Sequence, residues 1–472
     1  MTPADRPAHR LKRLLALAPL CLALAQALPA ASAQAAAAPN RPPLADPLNR
    51  NADYQWFLDD RFGMFIHFGL YSNGARHEWM KHREKLGNEQ YQKYFDTFDP
   101  DLFDARAWAR AAKAAGMKYV VLTAKHHEGF ALWDSKLTDY KITNTPFRRD
   151  LIREYVDALR AEGLKVGFYY SLIDWHHPDY PIDIMHPLRD DEAARKANGQ
   201  RDIRKYAAYL HGQVRELLSN YGKIDYLWFD FSFPKRDGDW DNGRGKGRDD
   251  WQSEKLVELV HKLQPGIILN NRLDIPGGVD TPEQYQPKFG GIPGELKLVE
   301  ECTTFSGSWG YYRDEASWKS NEQVVRLLVD AVSKGHNLLL NVGPNARGEF
   351  DARAKERLAA LGEWTRLNGR SIYGAGPSAY AAPDGARYTQ RGDRLYLHLE
   401  NYPIGSIELD GLAGKVRYAQ FLHDGSEIQF KEAEKQVEGN NLTSNLAEGS
   451  IRLTLPQVKP AVAVPVVELW LK

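Results

Sequence analysis

Asp230 is the first residue of this sequence whose setting points to chemistry. It ends the apolar run of residues 224–230, where a carboxylate is costly to bury unless other groups hold it. The side chain either caps a following helix or points into a cavity, where it can act as a nucleophile or base. If the run is a strand, Trp228 lies two residues earlier and therefore on the same face.

Histidines form a second group of candidates. His126 and His127 are adjacent, and His67 and His77 precede them. Such side chains can bind a metal, donate hydrogen bonds to a substrate or cap a loop. Neither the His-x-His nor the His-Glu-x-x-His spacing occurs, so hydrogen bonding is favoured over a metal site. Further candidates, with the last three expected on the rim of the same site, are Glu78, Trp79, Tyr169, Tyr170, Arg272, Trp175, Asp179 and Tyr180.

These residues need strands and helices to position them. Short runs of β-branched and aromatic residues, typical of buried parallel strands, cover residues 61–69, 118–127, 165–172, 224–231, 266–272, 296–305 and 337–344. Between several of them, helical periodicity predicts helices over residues 103–115, 151–162, 205–218, 255–263 and 322–333. Gly116, Gly163, Gly222 and Gly335 follow four of these helices, where a left-handed C-cap is expected.

The alternation predicts an α/β fold, either a (β/α) barrel or an open doubly wound sheet. The candidates follow many different strands, as in a TIM-like barrel, whereas an open sheet collects its ligand at one switch point. We therefore predict a barrel over residues 55–375 with one weak or missing strand. Beyond it, predicted strands at 388–399, 406–409, 416–422, 451–455 and 462–471 indicate a C-terminal antiparallel β-sandwich over residues 376–472.

Composition narrows the class of protein. Hydrophobic residues make up 43% of the chain, which suffices for a large core. The formal net charge is zero, so a nucleic-acid partner is disfavoured. The chain has 12 Trp and 23 Tyr. They indicate either a large aromatic core or a sugar site, where flat rings stack on a pyranose.

The N-terminus has the pattern of a signal peptide. Arg10, Lys12 and Arg13 precede an apolar stretch at residues 14–29, and Ala31-Ser32-Ala33 offers a cleavage site. We expect residues 1–33 to be removed, residues 34–54 to form a linker, and the protein to be periplasmic or extracellular. The mature chain then keeps a single cysteine, Cys302, and so has no internal disulfide. No other stretch is apolar and long enough to span a membrane.

Several segments together resemble glycoside hydrolase family 29, the α-L-fucosidases. They are Phe62-Gly63-Met64-Phe65-Ile66-His67-Phe68-Gly69, Glu78-Trp79, Lys125-His126-His127-Glu128-Gly129-Phe130, Gly167-Phe168-Tyr169-Tyr170-Ser171, Trp228-Phe229-Asp230, Ser308-Trp309-Gly310-Tyr311 and Leu340-Asn341-Val342-Gly343-Pro344. The combination of the Lys-His-His-Glu-Gly-Phe motif with Trp-x-Asp at a strand end is specific to the family. The resemblance spans about residues 55–375, and the C-terminal β domain is also similar.

The resemblance implies an exo-acting, retaining hydrolase of fucosylated glycans that needs no cofactor. Asp230 matches the nucleophile. Tyr169, favoured over Tyr170, is expected to touch it, and Phe65 to pack on the fucose methyl group. Other positions match those that hold the fucose ring: His67, Glu78, Trp79, His126, His127, Trp228 and Arg272. Glu283 resembles the acid/base, with Asp274, Asp280 and Glu300 as alternatives.

Two other functions remain open at this point. One is a carbohydrate-binding barrel that has lost catalysis, against which the presence of both Asp230 and Glu283 argues. The other is a metal-dependent hydrolase that uses the histidine cluster. Turnover of an aryl α-L-fucoside tests the first alternative, and metal analysis of the purified protein tests the second.

Overall fold

The computed structural model describes residue 44 and residues 46–234, 245–288, 296–432 and 449–472. The predicted signal peptide and most of the predicted linker lie outside this part of the chain. Within it, no helix combines the length and apolar character needed to cross a membrane.

A curled, parallel sheet forms the centre of the fold. Its strands are β1 (Phe62–Ile66), β2 (Tyr119–Lys125), β3 (Lys165–Ser171), β4 (Tyr226–Asp230), β5 (Ile268–Leu269), β6 (Glu300–Thr304) and β7 (Asn337–Val342), in the order β5-β4-β3-β2-β1-β7-β6. Each strand is almost entirely buried, as expected for strands covered on both faces. The predicted TIM-like (β/α) barrel is confirmed.

Helices surround the sheet and connect its strands. They are α1 (Gln55–Asp60), α2 (Tyr71–Gly74), α3 (Met80–Arg83), α4 (Asn88–Asp96), α5 (Ala105–Ala114), α6 (Leu151–Ala161), α7 (Glu192–Lys196), α8 (Ile203–Asn220), α9 (Arg248–Trp251), α10 (Ser253–Leu263), α11 (Asn321–Ser333) and α12 (Ala352–Asn368). Short 3₁₀ helices cover Ile142–Asn144, Ala197–Gln200 and Gly369–Ser371. The glycines predicted to end four helices all have positive φ, at Gly116 (89°), Gly163 (74°), Gly222 (72°) and Gly335 (85°).

The segment that carries Glu283 joins the two edge strands of the sheet. On one side the Val279 N–H donates to the Leu269 carbonyl of β5 at 2.9 Å. On the other side the Glu300 N–H of β6 donates to the Asp280 carbonyl at 2.8 Å. Pro282, within this segment, has no backbone N–H and so cannot donate a hydrogen bond to a neighbouring strand. The weak or missing strand of the prediction is therefore this irregular connection.

Strand β5 is shorter than the predicted 266–272. At Asn270 the side-chain amide, and not the backbone, makes the hydrogen bonds to β4. The Phe229 N–H donates to Asn270 Oδ1 at 2.9 Å, and Asn270 Nδ2 donates to the Phe229 carbonyl at 2.8 Å. The backbone after Asn270 is thereby released from β4 and turns toward the end of the barrel. This turn places Arg272 above the end of β4.

The C-terminal region contains two antiparallel sheets, as predicted. Their strands are β8 (Ala386–Arg391), β9 (Arg394–Leu399), β10 (Ser406–Leu409), β11 (Val416–Phe421), β12 (Phe430–Glu432), β13 (Ile451–Thr454) and β14 (Val466–Leu471). The sheet orders are β10-β13-β12 and β11-β14-β9-β8. The single strand predicted over 388–399 is wrong, because Gly392, at φ 56°, allows a tight turn that makes it a hairpin. The predicted boundary at 375/376 falls between the end of α12 and the start of β8.

Candidate active site

The carboxyl ends of the parallel strands surround one pocket. Because inward and outward side chains alternate along a strand, the last inward residue of each strand faces this pocket. It contains Asp230, Glu283 and all the residues matched to the fucose ring except Glu78, which lines an adjoining cleft. The residues that line it are Phe65, His67, Trp79, His126, His127, Tyr169, Trp228, Asp230, Phe231, Arg272, Glu283, Cys302 and Trp309.

Asp230 lies at the base of the pocket, and its side chain is only 14% exposed. The Tyr169 hydroxyl donates to Oδ2 at 2.8 Å, and Arg272 Nη1 donates to Oδ1 at 3.0 Å. Both donors stabilise the ionised carboxylate and fix its orientation. Tyr169 rather than Tyr170 makes this contact, because Tyr170 faces outward and donates to Gln213 on α8 at 2.8 Å.

The pKa of Asp230 predicts the acid limb of activity. Burial, opposed by Arg272, raises this pKa from 3.8 to about 6. A carboxylate that acts as nucleophile or base must be ionised, so activity that depends on Asp230 should be lost as the pH falls through the raised value. We expect kcat/KM to fall roughly tenfold per pH unit below about 6. Initial rates across the acid range, with circular dichroism to verify folding, check this. An acid limb near pH 4 would contradict it.

Arg272 connects the two candidate catalytic carboxylates. Its Nη1 binds Asp230, while Nη2 lies 3.2 Å from Glu283 Oε2. Arg272 is itself oriented by Thr281, whose Oγ1 accepts from Nε at 2.9 Å. The Glu283 side chain is 42% exposed, so it stands at the open side of the pocket while Asp230 lies at the closed side. Double displacement requires a nucleophilic carboxylate on one face of the sugar and an acid/base carboxyl on the other, and these two positions provide that arrangement.

The alternative acid/base residues lie elsewhere. Asp280 pairs with Lys297, and Asp274 accepts from the Arg248 N–H at 3.0 Å. Neither lines the pocket. Among the candidates in the described part of the chain, Glu283 alone shares the pocket with Asp230.

Glu300 is buried beneath the pocket and supports its floor. It accepts from the hydroxyls of Tyr119 at 2.6 Å and Tyr226 at 3.0 Å, and from Trp228 Nε1 at 3.3 Å. Burial raises its pKa to about 7. The Arg272 guanidinium lies over the Trp228 ring, 4.9 Å from its centre. Glu300 therefore contacts the pocket residue Trp228 but does not itself line the pocket.

Glu78 and Trp79 form one wall of the site. Glu78 Oε2 accepts from the Gly310 N–H at 2.8 Å, and burial raises the pKa of this carboxyl to about 7. Trp79 packs edge-on against His127, with ring centres 5.0 Å apart. The preceding residue, His77, has φ 91°, an uncommon backbone conformation for a non-glycine residue. Such strain is often retained where it directs functional side chains.

His67 is held as a hydrogen-bond acceptor toward the pocket. Asn341 Nδ2 donates to the Trp309 carbonyl at 2.6 Å, so its Oδ1 faces His67 Nδ1, 2.7 Å away. Nδ1 must therefore carry the proton. Burial lowers the pKa of His67 to about 3, so the ring is neutral and Nε2 presents a lone pair.

His127 is held in the same tautomer. The Ser171 hydroxyl donates to the Ile173 carbonyl at 2.8 Å and can then only accept from His127 Nδ1, 2.7 Å away. Burial lowers the pKa of His127 well below its ordinary value. Its Nε2, 3.8 Å from Asp230 Oδ2, is thus an acceptor. The sequence-based expectation was that His126 and His127 donate to ring hydroxyls; the arrangement around His127 instead suits the hydroxyl donors of a sugar.

Ser171→Ala tests the tautomer of His127. Loss of the hydroxyl leaves Nδ1 without its acceptor, so the other tautomer becomes accessible. We expect kcat/KM to fall about fivefold, the effect of one neutral hydrogen bond of about 1 kcal/mol. Ser171→Thr keeps a hydroxyl and should retain most activity. Histidine ¹⁵N chemical shifts should show wild-type His127 protonated at Nδ1, and protonation at Nε2 would overturn this assignment.

His126 completes the histidine group. Its ring lies 4.0 Å from that of His127 and stacks on Tyr169 at 5.6 Å. Its Nδ1 is buried and has no hydrogen-bond partner among the described residues. In the same part of the chain, no three His, Cys, Asp or Glu side chains are grouped as a metal site requires.

Some pocket residues were not predicted from the sequence as site residues. They are Phe231, Cys302 and Trp309. Trp309 stands in the Ser-Trp-Gly-Tyr segment, which was a signal that could have identified it. The expected rim residues are placed differently, because Trp175 and Tyr180 are fully buried and Asp179 does not line the pocket. Trp175 instead packs behind Trp79, with ring centres 5.3 Å apart.

The pocket and the barrel around it define the class of protein. Paired carboxylates that face a pocket lined with aromatic rings suit the cleavage of a glycosidic bond, and a (β/α) barrel commonly carries such a site at this end. The protein is a glycoside hydrolase. It belongs to the α-L-fucosidase family, whose sequence model matches residues 28–370.

Solved structures and curated relatives agree with this assignment. α-L-Fucosidase isoenzyme 1 from Paenibacillus thiaminolyticus is 46% identical, with a TM-score of 0.81 over 89% of this chain and 98% of that chain. A glycoside hydrolase family 29 α-L-fucosidase from Bacteroides thetaiotaomicron, trapped as a covalent intermediate with 2-fluoro-fucosyl fluoride, is 28% identical, with a TM-score of 0.75 over 92% and 98%. The tissue α-L-fucosidase of Homo sapiens is 30% identical over 75% of this chain and 76% of its own length.

Proposed function

We propose that this protein releases terminal L-fucose from fucosylated glycans by retaining double displacement, with Asp230 as nucleophile and Glu283 as acid/base. The observation that carries the proposal is the arrangement around Arg272. One guanidinium orients a buried carboxylate at the base of the pocket and a more exposed one at its mouth.

In the first step, Asp230 attacks the anomeric carbon from the closed side of the pocket. The bond to the leaving oxygen breaks while Glu283 donates a proton to that oxygen. Positive charge develops on the sugar ring, and the ionised Asp230 stabilises it. Tyr169 and Arg272 keep the carboxylate aligned for attack. The product is a β-linked fucosyl ester on Asp230.

In the second step, Glu283 removes a proton from water as the water attacks the anomeric carbon from the open side. The ester bond breaks and Asp230 is regenerated as a carboxylate. Two inversions give net retention, so fucose leaves as the α-anomer. The ring hydroxyls donate to Nε2 of His67 and His127, which hold the sugar throughout. Phe65 and Trp79 supply the apolar wall for the fucose ring and its methyl group.

Turnover of an aryl α-L-fucoside tests this function directly. We expect release of the phenol, and NMR should detect α-L-fucose before mutarotation. An aryl β-L-fucoside is the matched control and should not be cleaved. Initial β-fucose would establish inversion and overturn the mechanism, and no turnover would favour a carbohydrate-binding barrel. Loss of activity in EDTA, restored by zinc, would instead favour the metal-dependent hydrolase.

Export to the periplasm or the cell exterior is part of the proposal. It is supported by the basic, apolar and small-residue segments in residues 1–33. Mass spectrometry of the protein from fractionated cells should find the mature chain beginning at Gln34. An intact N-terminus in the cytoplasmic fraction alone would contradict export.

A further inference from the structure

We propose that the cleft beside the fucose pocket binds an anionic group, a sulfate ester or carboxylate on the sugar to which fucose is attached, through Arg83 and Lys319. The inference rests on the proposed function and adds a substrate class to it. It concerns the leaving group and not the fucose ring.

The cleft lies where the leaving group must emerge. It has a volume of about 690 Å³, which is ample for a sugar residue. It shares the Trp79 and Trp309 side chains with the fucose pocket. It is also lined by Gln284, the neighbour of Glu283. A general acid must reach the leaving oxygen, so the sugar beyond that oxygen lies on the Glu283 side.

Two cations, Arg83 and Lys319, line this cleft without an ion pair to a carboxylate among the described residues. Lys319 Nζ donates to the Thr304 carbonyl at 2.6 Å, and Arg83 Nη2 lies 3.2 Å from His77 Nε2. Neither side chain forms an ion pair with a carboxylate in the described part of the chain. Most N–H donors of both groups therefore stay free for a ligand.

Lys319 is fixed in place before any ligand binds. Its backbone N–H donates to the Phe305 carbonyl at 2.9 Å, and its carbonyl accepts from Arg357 Nε at 2.7 Å. The half-buried ammonium is partly desolvated, and burial lowers its pKa. A cation held in this way gains more from a bound anion than a freely hydrated one does.

The other ionisable groups near the cleft oppose the two cations only in part. Glu78 is partly protonated at neutral pH, because burial raises its pKa to about 7. Burial lowers the pKa of His77 and of His82 to about 4, so both rings are neutral there. Glu315 is an anion nearby: against the effect of burial, hydrogen bonds from Ser317, Ser308 and Gly307 lower its pKa, and it offsets part of the charge of Lys319.

A matched pair of substrates tests the inference on the full-length enzyme. The probes are two aryl α-L-fucosides that carry a sulfonate or a neutral sulfonamide at the same ring position. We expect kcat/KM to favour the sulfonate about tenfold, the value of a charge-assisted hydrogen bond. Raising the salt from about 0.01 M to about 1 M shortens the screening distance from about 30 Å to about 3 Å and should reduce the preference.

Variants then assign the preference to the cleft. Arg83→Gln and Lys319→Met should each lower kcat/KM for the sulfonate several-fold more than for the sulfonamide. Lys113→Gln, which removes an exposed cation on α5, is the control and should leave the ratio intact. A 4-nitrophenyl α-L-fucoside sulfated on its fucose ring should be a poor substrate.

Each remaining outcome overturns the inference. Equal kcat/KM for the two probes, or equal losses on both in the Arg83 and Lys319 variants, would show that the cleft does not distinguish an anionic leaving group from a neutral one. Preference for the ring-sulfated fucoside would place the anion on fucose instead. These failures differ from failure of the proposed function, in which the wild-type enzyme turns over none of the fucosides.

Discussion

Asp230→Ala should lower kcat on an aryl α-L-fucoside by roughly 10⁴-fold or more while the protein stays folded. The carboxylate forms the bond to the anomeric carbon in the first step, so its removal blocks the covalent route. Because its contribution is to the transition state and not to packing, thermal unfolding should change little. Asp157→Ala, which removes an exposed carboxylate on α6, is the matched control and should retain wild-type turnover.

Azide should partly restore activity to Asp230→Ala. The substitution leaves the Tyr169 hydroxyl and Arg272 Nη1 without their acceptor, so a small anion can occupy the vacated position. Azide then attacks the substrate from the same side as the lost carboxylate and gives β-fucosyl azide, which NMR identifies. Retention of more than a few per cent of activity by the variant without azide would contradict the role of Asp230.

The barrel and much of its site were predictable because their signals are local. Buried parallel strands read as continuous apolar runs, and a polar residue at the end of such a run, such as Asp230, is conspicuous. The preference for Tyr169 over Tyr170 comes from the family resemblance and not from a pattern. In the structure Tyr169 donates to Asp230, whereas Tyr170 donates to Gln213.

Features that depend on contacts between distant segments were not predictable. The tautomer of His127 depends on Ser171, whose own hydrogen bond goes to Ile173. The early end of β5 depends on the Asn270 amide, which bonds to the neighbouring strand. The periodicity of a sequence gives no sign of hydrogen bonds in which a side chain bonds to a backbone group of another segment. The hairpin at Gly392 was missed because apolar residues alternate on both sides of its turn.

Glu283 could be identified from the resemblance to the family but not from the hydrophobic periodicity of the sequence. It lies in an irregular segment that pairs with strands on both sides without being one itself. Segments of this kind lack the apolar run that marks β4, so their register cannot be read from the sequence. The structure supplies it: the Cys302 N–H of β6 donates to the carbonyl of Pro282 at 3.0 Å, directly before Glu283. The segment that carries the acid/base candidate is thus hydrogen-bonded to β6 of the barrel wall.

Glu283→Ala should separate substrates by their leaving groups. A sugar hydroxyl needs a proton as it departs, whereas an activated phenolate leaves without one. We expect kcat/KM on natural fucosylated oligosaccharides to fall by roughly two to four orders of magnitude, the usual contribution of general acid catalysis. On a dinitrophenyl α-L-fucoside, the first step should be nearly unaffected. Asp280→Ala, on the same segment but paired with Lys297, is the matched control and should affect both substrates equally and little.

The second step gives Glu283→Ala a further signature. Without a base to activate water, the fucosyl ester on Asp230 should accumulate on the activated substrate and produce a burst of phenol release. Azide needs no base, so it should speed turnover. Because it attacks the β-linked ester from the open side, its product should be α-fucosyl azide, the opposite anomer from that of Asp230→Ala. Equal losses on both substrate types with no azide effect would remove Glu283 from this role.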